Sequence, residues 1–437
     1  MTMISDLSRD LILGKLAASS SPSQFLGFMM MDYKVCSVRF DLHGIHKEDD
    51  DDGSVVDVVP SIKPVDKLIN HIEISKVLHC DGLLLCVYKD KTKLVVWNPY
   101  LGQTRVIEPK DAFHRLDRYA LGYDKYKKSY KILRFVDNNL RGNPVFAYQV
   151  YDLNSNSWSV LDVNPDWDVE FYRSGVSLKG NTYFFAKQKI GVDGEAEVDD
   201  FLLCFDYTDE RFGPRLHVPF HSYLTEDTVT LSSLGEEKLA VLYQSLDTCE
   251  MQIWVTTKIE PKAVSWNKLF LAVDMSSPTG FQLQVAGSFF IDEEKNLAVV
   301  FDLDKFLRFK IAYLIGEGGY FRQVGLGEAV NMEEYPYGCP LVCSYVPNDK
   351  HALFLAVESL SLRYNQIWIS CLVVRDVGAR DPNNSLCAMR DDHDWNRDVN
   401  GRRVRGGVLM EGNQIWFNYT AAVSPQLLRH TIRFQHL

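Results

Sequence analysis

The sequence has no long hydrophobic run and no apolar leader. Its longest apolar stretches have the length of a β-strand, whereas a membrane-spanning helix needs roughly 20 consecutive apolar residues. Within residues 1–15, Asp6 and Asp10 interrupt the apolar segment that a signal peptide requires. The nine cysteines are odd in number, and several, such as Cys86 and Cys204, lie in apolar runs, as buried free thiols do. These absences predict a cytoplasmic or nuclear protein, or one found in both, with reduced thiols and no membrane partner.

The sequence is also short of positive charge. It carries 47 lysines and arginines against 58 aspartates and glutamates, which gives a formal net charge of -11. A general nucleic-acid-binding protein needs a basic surface that neutralises phosphates. The charge balance therefore predicts no nucleic-acid partner.

The common catalytic and cofactor motifs are absent. The sequence contains no G-x-S-x-G, G-x-x-x-x-G-K, H-E-x-x-H or G-x-G-x-x-G. The closely spaced glycines Gly316, Gly318 and Gly319 lack the strand-to-helix frame of a phosphate-binding loop. We therefore expect neither enzymatic activity nor a cofactor.

An acidic run at residues 48–53 looks at first like a calcium loop. With Gly53 at the sixth position, Val59 falls at the twelfth, where a bidentate glutamate is required. The run is therefore expected to be a solvated loop. His43 with His46, and Cys339 with Cys343, have spacings seen at metal sites. The histidine pair lacks a fixed second shell, and the cysteine pair lacks a matching second pair, so no metal is predicted.

A short pattern recurs along the chain. An apolar or aromatic run ends in a polar turn, and an aromatic-led strand follows. Asp, Asn, Gly and Pro at the turns tolerate or preset the backbone angles that hairpins demand. The lead residues lie 54, 54, 49 and 47 positions apart, and they are Trp97, Tyr151, Phe205, Trp254 and Phe301. Strand-like runs lie between the turns at 82–87, 181–186, 238–244 and 296–301.

A repeat near 50 residues with several short strands per unit predicts a mainly β fold, a kelch-like β-propeller. Each repeat would form one four-stranded blade, and neighbouring blades would stack around an axis. A β-sandwich with coincidental spacing is the alternative fold. The tryptophans at the repeats are expected in the blade core, with a ligand pocket as the alternative role; they are Trp97, Trp158, Trp254 and Trp266.

Several segments resemble a known family. S-D-L-S-R-D-L-I-L-G-K-L at residues 5–16 is similar to the opening helix of an F-box. The later segments resemble the plant F-box-associated domain of type 1, in order and in spacing. They are H-C-D-G-L-L-L-C (79–86), V-W-N-P-Y-L-G-Q (96–103), L-G-Y-D (121–124), G-N-T-Y-F (180–184), F-D-Y-T-D-E-R-F-G-P (205–214) and I-W-V-T (253–256).

The resemblance implies a division into three parts. Residues 1–24 would be an F-box remnant with a short N-terminal helix, 25–347 the F-box-associated β-propeller domain, and 348–437 an atypical tail that is partly β or disordered. In that family the F-box binds the Skp adaptor of a cullin-based ubiquitin ligase, and the associated domain captures an unknown protein substrate. The residues that would contact the adaptor are Leu7, Leu11 and Leu16.

Two departures from the family pattern leave the function open between two alternatives. After Leu16, small polar residues and Pro22 end the helix, and the second and third F-box helices have no counterpart. One helix alone offers little area for a specific interface. The chain is therefore expected to be either a substrate-recognition subunit of a ubiquitin ligase or a stand-alone interaction domain without ligase contact. In the second alternative the three leucines simply anchor the helix on the domain.

The tail is the second departure. Residues 348–437 hold one lysine and ten arginines, a sharp change in composition. Q-I-W occurs at 366–368 and 414–416, as it does at 252–254, which indicates that the tail could supply strands to a last blade. The stretch 379–407, rich in Arg, Asp, Asn and Gly, is expected to be solvated or disordered.

Overall fold

A computed structural model describes most of the 437 residues. The described residues are 24–31, 33–41, 61–64, 72–99, 103–110, 116–138, 145–170, 174–189, 199–222, 227–235, 237–275, 282–283, 288–304, 306, 308–317, 320–329, 342–344, 359–364, 367–372, 396–397, 403–411, 414–423 and 426–435. Within these ranges the chain is built from β-strands and contains no α-helix. None of this part could therefore cross a membrane as a helix. The predicted N-terminal helix, with Leu7, Leu11 and Leu16, lies outside the described residues.

The chain divides into two compact units, Met1–Pro347 and Asn348–Leu437. The first unit contains six antiparallel sheets, which we name A to F. Sheet A consists of β1 (Gln24–Met31), β2 (Lys34–Asp41), β3 (Ser61–Pro64) and β26 (Val342–Ser344). Sheet B consists of β4 (Ile74–Cys80), β5 (Leu83–Tyr88), β6 (Leu94–Asn98) and β7 (Gln103–Ile107). Sheet C consists of β8 (Arg118–Asp124), β9 (Ser129–Asn138), β10 (Val145–Asp152) and β11 (Ser157–Val160).

The next three sheets follow the same meander. Sheet D consists of β12 (Trp167–Asp168), β13 (Val176–Leu178), β14 (Asn181–Gln188), β15 (Asp200–Asp206), β16 (Arg211–Phe212) and β17 (Leu216–His217). Its first and last strands are each broken in two. Both β12 and β13 pair with β14, whereas both β16 and β17 pair with β15. Sheet E consists of β18 (Thr228–Leu234), β19 (Lys238–Gln244), β20 (Glu250–Glu260) and β21 (Ala263–Asp274). Sheet F consists of β22 (Ser288–Asp292), β23 (Leu297–Leu303), β24 (Phe309–Gly316) and β25 (Phe321–Glu328).

The six sheets are the blades of a β-propeller. The first strand of each sheet contacts the first strand of the next, from β4 through β8, the β12–β14 region and β18 to β22. The last strand, β26, contacts both β22 and β4 and pairs with β1, so that Phe28 lies opposite Cys343. Blade A is thus made from both ends of the first unit, and this pairing closes the ring. The kelch-like propeller predicted from the 50-residue repeat is confirmed.

The apolar core lies between neighbouring blades, as stacking requires. Each of five buried clusters combines side chains from two adjacent sheets. Phe40 of blade A packs on Phe301 of blade F, and Phe135 of blade C packs on Phe184 of blade D. Because blades pack face to face on their neighbours, inner strands are buried on both sides, as β23 is along its whole length.

The polar turns of the repeat have a common geometry. In four turns an aspartate Oδ1 accepts hydrogen bonds from the backbone N–H groups two and three residues later. The residue four positions on has a positive φ near 50°. Aspartate favours such turns because its short carboxylate mimics a backbone acceptor. The four aspartates with their left-handed partners are Asp124 and Lys128, Asp152 and Asn156, Asp206 and Glu210, and Asp292 and Asn296.

The junction of blades C and D explains two of the repeated segments. A Cβ on Gly122 would lie 2.0 Å from Cε2 of Tyr207, so only glycine leaves room for this fully buried ring. The Tyr207 hydroxyl is 2.9 Å from Thr182 Oγ1. Beside it, the buried Lys131 ammonium donates to Asp124 Oδ2 and to Glu210 Oε1, both at 2.7 Å, and to the carbonyl of Tyr207 at 2.9 Å.

The second unit has sheets of its own. Strands β27 (Ser359–Tyr364) and β28 (Ile367–Leu372) form a hairpin, and a four-stranded sheet contains β29 (Asn396–Arg397), β30 (Arg403–Glu411), β31 (Gln414–Val423) and β32 (Gln426–Gln435). The Q-I-W echoes lead into strands, since β28 begins at Ile367 and β31 begins at Gln414. Strand β29 and the start of β30 lie within the stretch 379–407, and its solvation stays a prediction.

Candidate functional site

The connectivity of the ring gives its two ends a different character. Within an antiparallel blade, alternate connections lie at the same end. The link from one blade to the next therefore shares an end with each blade's second-to-third strand connection. This end carries the longest connections between blades B and F, for example 108–117, 189–199 and 275–287, beside shorter ones such as 89–93 and 245–249. We name it the long-loop face. The opposite end, the short-turn face, has turns such as 125–128 and 179–180, and the connection at 42–60 is its long exception.

Long loops on a rigid scaffold are where binding residues concentrate, so the long-loop face is the candidate functional site. Blade C supplies a buried polar network just beneath it. Arg134 donates to Asp117 Oδ2 from Nη2 at 2.8 Å and from Nε at 3.1 Å, and its Nη1 donates to Gln149 Oε1 at 3.2 Å. Burial and the nearby Asp117 carboxylate raise the pKa of Tyr119. This network fixes the end of three strands and provides a rigid base for the loops.

An aromatic row lies at this face between blades D and E, with Phe185 buried in the core and Phe220 and Tyr243 half-buried above it. Phe220 stacks on Tyr243, with ring centroids 4.6 Å apart and planes at 10°, and on Phe185, with centroids 6.2 Å apart. Burial, followed by the charge of Asp227, raises the pKa of Tyr243 to about 12. The phenol is therefore neutral at physiological pH. The row combines apolar area with a hydroxyl, which suits recognition of a polypeptide.

Asp200, His221 and Ser222 meet beside this row but do not form a catalytic triad. Asp200 Oδ2 accepts from the backbone N–H of Ser222 at 2.6 Å, whereas His221 Nδ1 is 3.7 Å away, beyond hydrogen-bond distance. The Ser222 hydroxyl accepts from Lys187 Nζ at 3.3 Å. The carboxylate thus fixes the 218–222 segment instead of orienting an imidazole as a general base.

The exposed part of the face contains an ion pair and an apolar side chain. Arg215 donates from Nη2 to Asp166 Oδ2 at 2.6 Å and from Nη1 to Gln188 Oε1 at 3.0 Å. The Asp166 side chain is 76% exposed, so the pair is a surface feature available to a partner. Leu246 is 37% exposed at the tip of the β19–β20 turn. These side chains offer charge and apolar contact at one edge of the long-loop face.

The tryptophans of the repeat lie in or between blades. Trp97 is fully buried. Trp158 Nε1 donates to the carbonyl of Glu108 at 3.0 Å, and Trp266 Nε1 donates to that of His217 at 2.8 Å, so each joins the outer strands of two blades. Trp254 packs partly buried beside the D–E core. The prediction of a core role is confirmed for Trp97, whereas Trp158 and Trp266 link the outer strands of neighbouring blades by hydrogen bonds.

The other sequence-based sites lie mostly outside the described residues. This holds for Leu7, Leu11 and Leu16, for the acidic run 48–53, for His43 and His46, and for Cys339. In the described ranges no group of three or more His, Cys, Asp or Glu side chains could hold a metal ion. Cys86 and Cys204 are buried thiols, as predicted.

The residues of the long-loop face are hard to identify from sequence alone. Phe220 and Tyr243 come from the D–E link and from blade E, and the stacking of these two neighbouring blades brings their rings together. The one detectable hint was the spacing of the strands. From blade B to β26, connections of two to four residues alternate with connections of five to thirteen residues, and this alternation places the longer ones at one end.

Comparisons with known proteins agree with this architecture. The sequence profile of the F-box associated beta propeller domain matches residues 26–349. An F-box/kelch-repeat protein of Arabidopsis thaliana is 54% identical over 310 residues, which cover 66% of this chain and 78% of that protein. A second Arabidopsis F-box/kelch-repeat protein is 50% identical over 356 residues, covering 78% of this chain and 87% of the relative. A putative F-box protein of the same plant is 52% identical over 343 residues, with 74% and 86% covered.

Proposed function

The chain belongs to the family of plant F-box proteins with an F-box-associated β-propeller, and from this premise we propose that it is a substrate-recognition subunit of a Skp–cullin–F-box ubiquitin ligase. The observation that carries the proposal is the profile match over 26–349, which spans the whole closed ring. In this role the protein performs no chemistry of its own. It binds a target protein and brings it to the ligase.

The geometry supports the long-loop face as the surface that binds the target. The strand ends at this face are fixed by cores on both sides, so that the described residues there are preorganised for a partner. The half-buried Phe220 and Tyr243, which lie over the buried Phe185, supply aromatic area, and the Arg215–Asp166 pair supplies a charged rim. The separation of Asp200 from His221 supports a binding role over hydrolysis.

A second candidate function is binding without delivery to a ligase. It is favoured by the sequence after Leu16, where the pattern of the second and third F-box helices does not follow. In that case the propeller captures its partner but the adaptor is not recruited. The two candidates differ in one measurable property, which is binding to the Skp adaptor.

Affinity capture of the tagged full chain from plant cells, quantified by mass spectrometry, tests both halves of the proposal. We expect recovery of a Skp adaptor and a cullin together with a target protein. Exchange of the surface pair, Asp166→Lys with Arg215→Glu, keeps an ion pair possible but inverts the charges presented on the long-loop face. The target should be lost while the adaptor is retained.

The chain offers a matched control on the opposite face. Lys238 Nζ and Glu293 Oε1 form a similarly exposed pair, 3.1 Å apart. Its exchange, Lys238→Glu with Glu293→Lys, should leave target recovery unchanged. A target lost equally from both exchanged variants would contradict the assignment of the long-loop face. Absence of adaptor and cullin from every capture would contradict the ligase role and favour the stand-alone binder.

A further inference from the structure

The short-turn face carries an exposed basic turn that the proposed function does not use. The β8–β9 turn has the sequence K-Y-K-K, and all four side chains are exposed. Tyr126 at its tip is 87% exposed, the highest value among the large hydrophobic side chains described. The turn is rigid at its base, because Asp124 Oδ1 accepts from the N–H groups of Tyr126 and Lys127 at 3.0 and 2.9 Å.

A fourth lysine joins this turn from the neighbouring blade. Tyr123 N donates to the carbonyl of Gly180 at 2.9 Å, which holds the β13–β14 turn of blade D against blade C. A Cβ on Gly180 would lie 3.6 Å from Cε of Lys125, so the Lys125 side chain runs across this turn. Lys179, exposed beside Gly180, therefore adds its charge to the same patch. We name Lys125, Tyr126, Lys127, Lys128 and Lys179 the lysine rim.

The lysine rim is not neutralised within the described part of the chain. None of its four lysines forms an ion pair with a residue in the described ranges. The neighbouring acids are engaged elsewhere, since Asp124 and Glu210 bind the buried Lys131 and Asp209 binds Arg211 at 2.7 Å. Four positive charges thus lie together on a chain with a net charge of -11.

A second lysine-rich turn shows that this arrangement differs from an ordinary solvated turn. The β5–β6 turn on the long-loop face has the sequence K-D-K-T-K. There Lys89 pairs with Glu73 at 3.2 Å and Lys93 pairs with Glu108 at 3.4 Å, while Asp90 lies between them in sequence. This turn has nearly the same lysine content, but its charge is balanced locally.

The remaining first-to-second strand turns around the ring carry the opposite charge. Blade B contributes Asp81, blade E Glu237, and blade F Glu293 and Glu294 with Lys295. Among these first-to-second strand turns, those of blades C and D are therefore positive and those of blades B, E and F are negative. A negatively charged segment approaching this end is steered to one place.

We propose that the lysine rim is a docking site for an acidic segment of a partner protein, with Tyr126 contacting an apolar side chain of that segment. The lysines supply charge complementarity, and an exposed aromatic ring with an apolar body and a polar tip is typical of contact residues. A nucleic acid fits less well, because four lysines are a small footprint and the acidic remainder of the chain repels phosphates. The site is independent of target binding at the long-loop face.

Fluorescence anisotropy with a labelled acidic peptide tests this proposal on the full chain. The probe alternates glutamate with serine and contains one leucine, and the control probe has glutamine in place of each glutamate. We expect a dissociation constant of about 10 to 100 µM for the acidic probe, because exposed charge contacts are individually weak. Binding should weaken about three-fold when NaCl is raised from about 50 to about 200 mM. The glutamine probe should not bind.

Two triple variants with equal charge change make the test specific. Lys125→Glu, Lys127→Glu and Lys128→Glu together should weaken binding at least about ten-fold, since attraction becomes repulsion. Lys89→Glu, Lys91→Glu and Lys93→Glu on the opposite face should change it less than about two-fold at this salt concentration. Tyr126→Ala should weaken it about three-fold through lost contact area. Far-ultraviolet circular dichroism checks that each variant is folded, and Lys125→Gln, Lys127→Gln, Lys128→Gln replaces the first triple if it is not.

Three results would overturn the proposal. One is the absence of binding by the acidic probe. Another is equal weakening by the two triple variants, which would indicate a general effect of net charge. The third is tighter binding of a single-stranded oligonucleotide that depends on the same lysines, which would make the rim a nucleic-acid site.

Discussion

Individual polar residues in this propeller have roles that depend on burial more than on residue type. His79, on the inner strand of blade B, accepts a hydrogen bond at Nε2 from the backbone N–H of Gly82 at 3.0 Å. Burial lowers its pKa to about 4. An imidazole that accepts a backbone hydrogen bond must be neutral at that nitrogen, so the hydrogen bond and the lowered pKa agree.

His79 should make stability fall in mildly acidic solution. The unfolded chain binds a proton at this histidine near pH 6.5, whereas the folded chain resists it down to about pH 4. The unfolded state therefore binds more protons across this window, and stability is lost as pH falls through it. Urea unfolding at several pH values should show a steeper loss for the wild type than for His79→Gln. Parallel curves between about pH 6.5 and about pH 4 would contradict this role.

Lys131 is the buried charge on which the junction of blades C and D depends. Burial alone would lower its pKa, but the hydrogen bonds with Asp124 and Glu210 outweigh this, and the pKa is raised. Burial likewise acts to raise the pKa of Asp124, and the hydrogen bond from Lys131 lowers it overall. Both groups thus stay charged over the physiological range.

Lys131→Met should destabilise the propeller by about 3–5 kcal/mol, because it leaves a buried carboxylate without its partner. Chemical denaturation measures this loss. Lys238→Met, which breaks an exposed pair, is the control and should cost less than about 1 kcal/mol. Similar losses in the two variants would show that the buried network is not a special source of stability.

At the scale of the element, glycine positions set how closely blades can approach. The segments L-G-Y-D and F-D-Y-T could be recognised as a family pattern, but their sequence did not show that Gly122 and Tyr207 touch. That contact joins residues 85 positions apart in the chain, and it follows from the stacking of blade C on blade D. Strand and turn positions were predictable because they depend on local patterning, whereas such contacts depend on the ring.

Gly122→Ala should destabilise the fold by about 3 kcal/mol, since the added methyl overlaps a buried ring that cannot move freely. In a Tyr207→Ala background the same change should cost much less, because the overlap is gone. Thermal unfolding of the four members of this double-mutant cycle gives the coupling. Additive losses would mean that the two residues do not meet as described.

At the scale of the whole molecule, the ring is closed by a pairing between the two ends of the first unit. The repeat predicted blades, but it did not show that residues 342–344 add a strand to a sheet begun at Gln24. No local pattern marks this pairing, because its partners are more than 300 residues apart. The same holds for the tail, whose strands could be anticipated from the Q-I-W echoes but whose separate sheets could not.

Two shortened chains test the closure. A chain ending at Pro347 keeps β26 and should unfold cooperatively near the midpoint of the full chain. A chain ending at residue 341 lacks this strand and should lose about 2 kcal/mol or more, at about 1 kcal/mol for each backbone hydrogen bond. It should also aggregate, because the edge of β1 is left unpaired. Equal midpoints by calorimetry would contradict closure through β26.

The central claim is that this propeller serves as the receptor of a ubiquitin ligase, and its most direct test is titration calorimetry of the full chain with purified Skp adaptor. The account predicts binding at micromolar affinity or tighter. Binding should be lost in a Leu11→Ala, Leu16→Ala double variant. A Lys89→Glu, Lys91→Glu, Lys93→Glu variant of the propeller should bind as the wild type does. Absence of detectable heat with folded wild-type protein would contradict the claim and leave a propeller that binds its partner without a ligase.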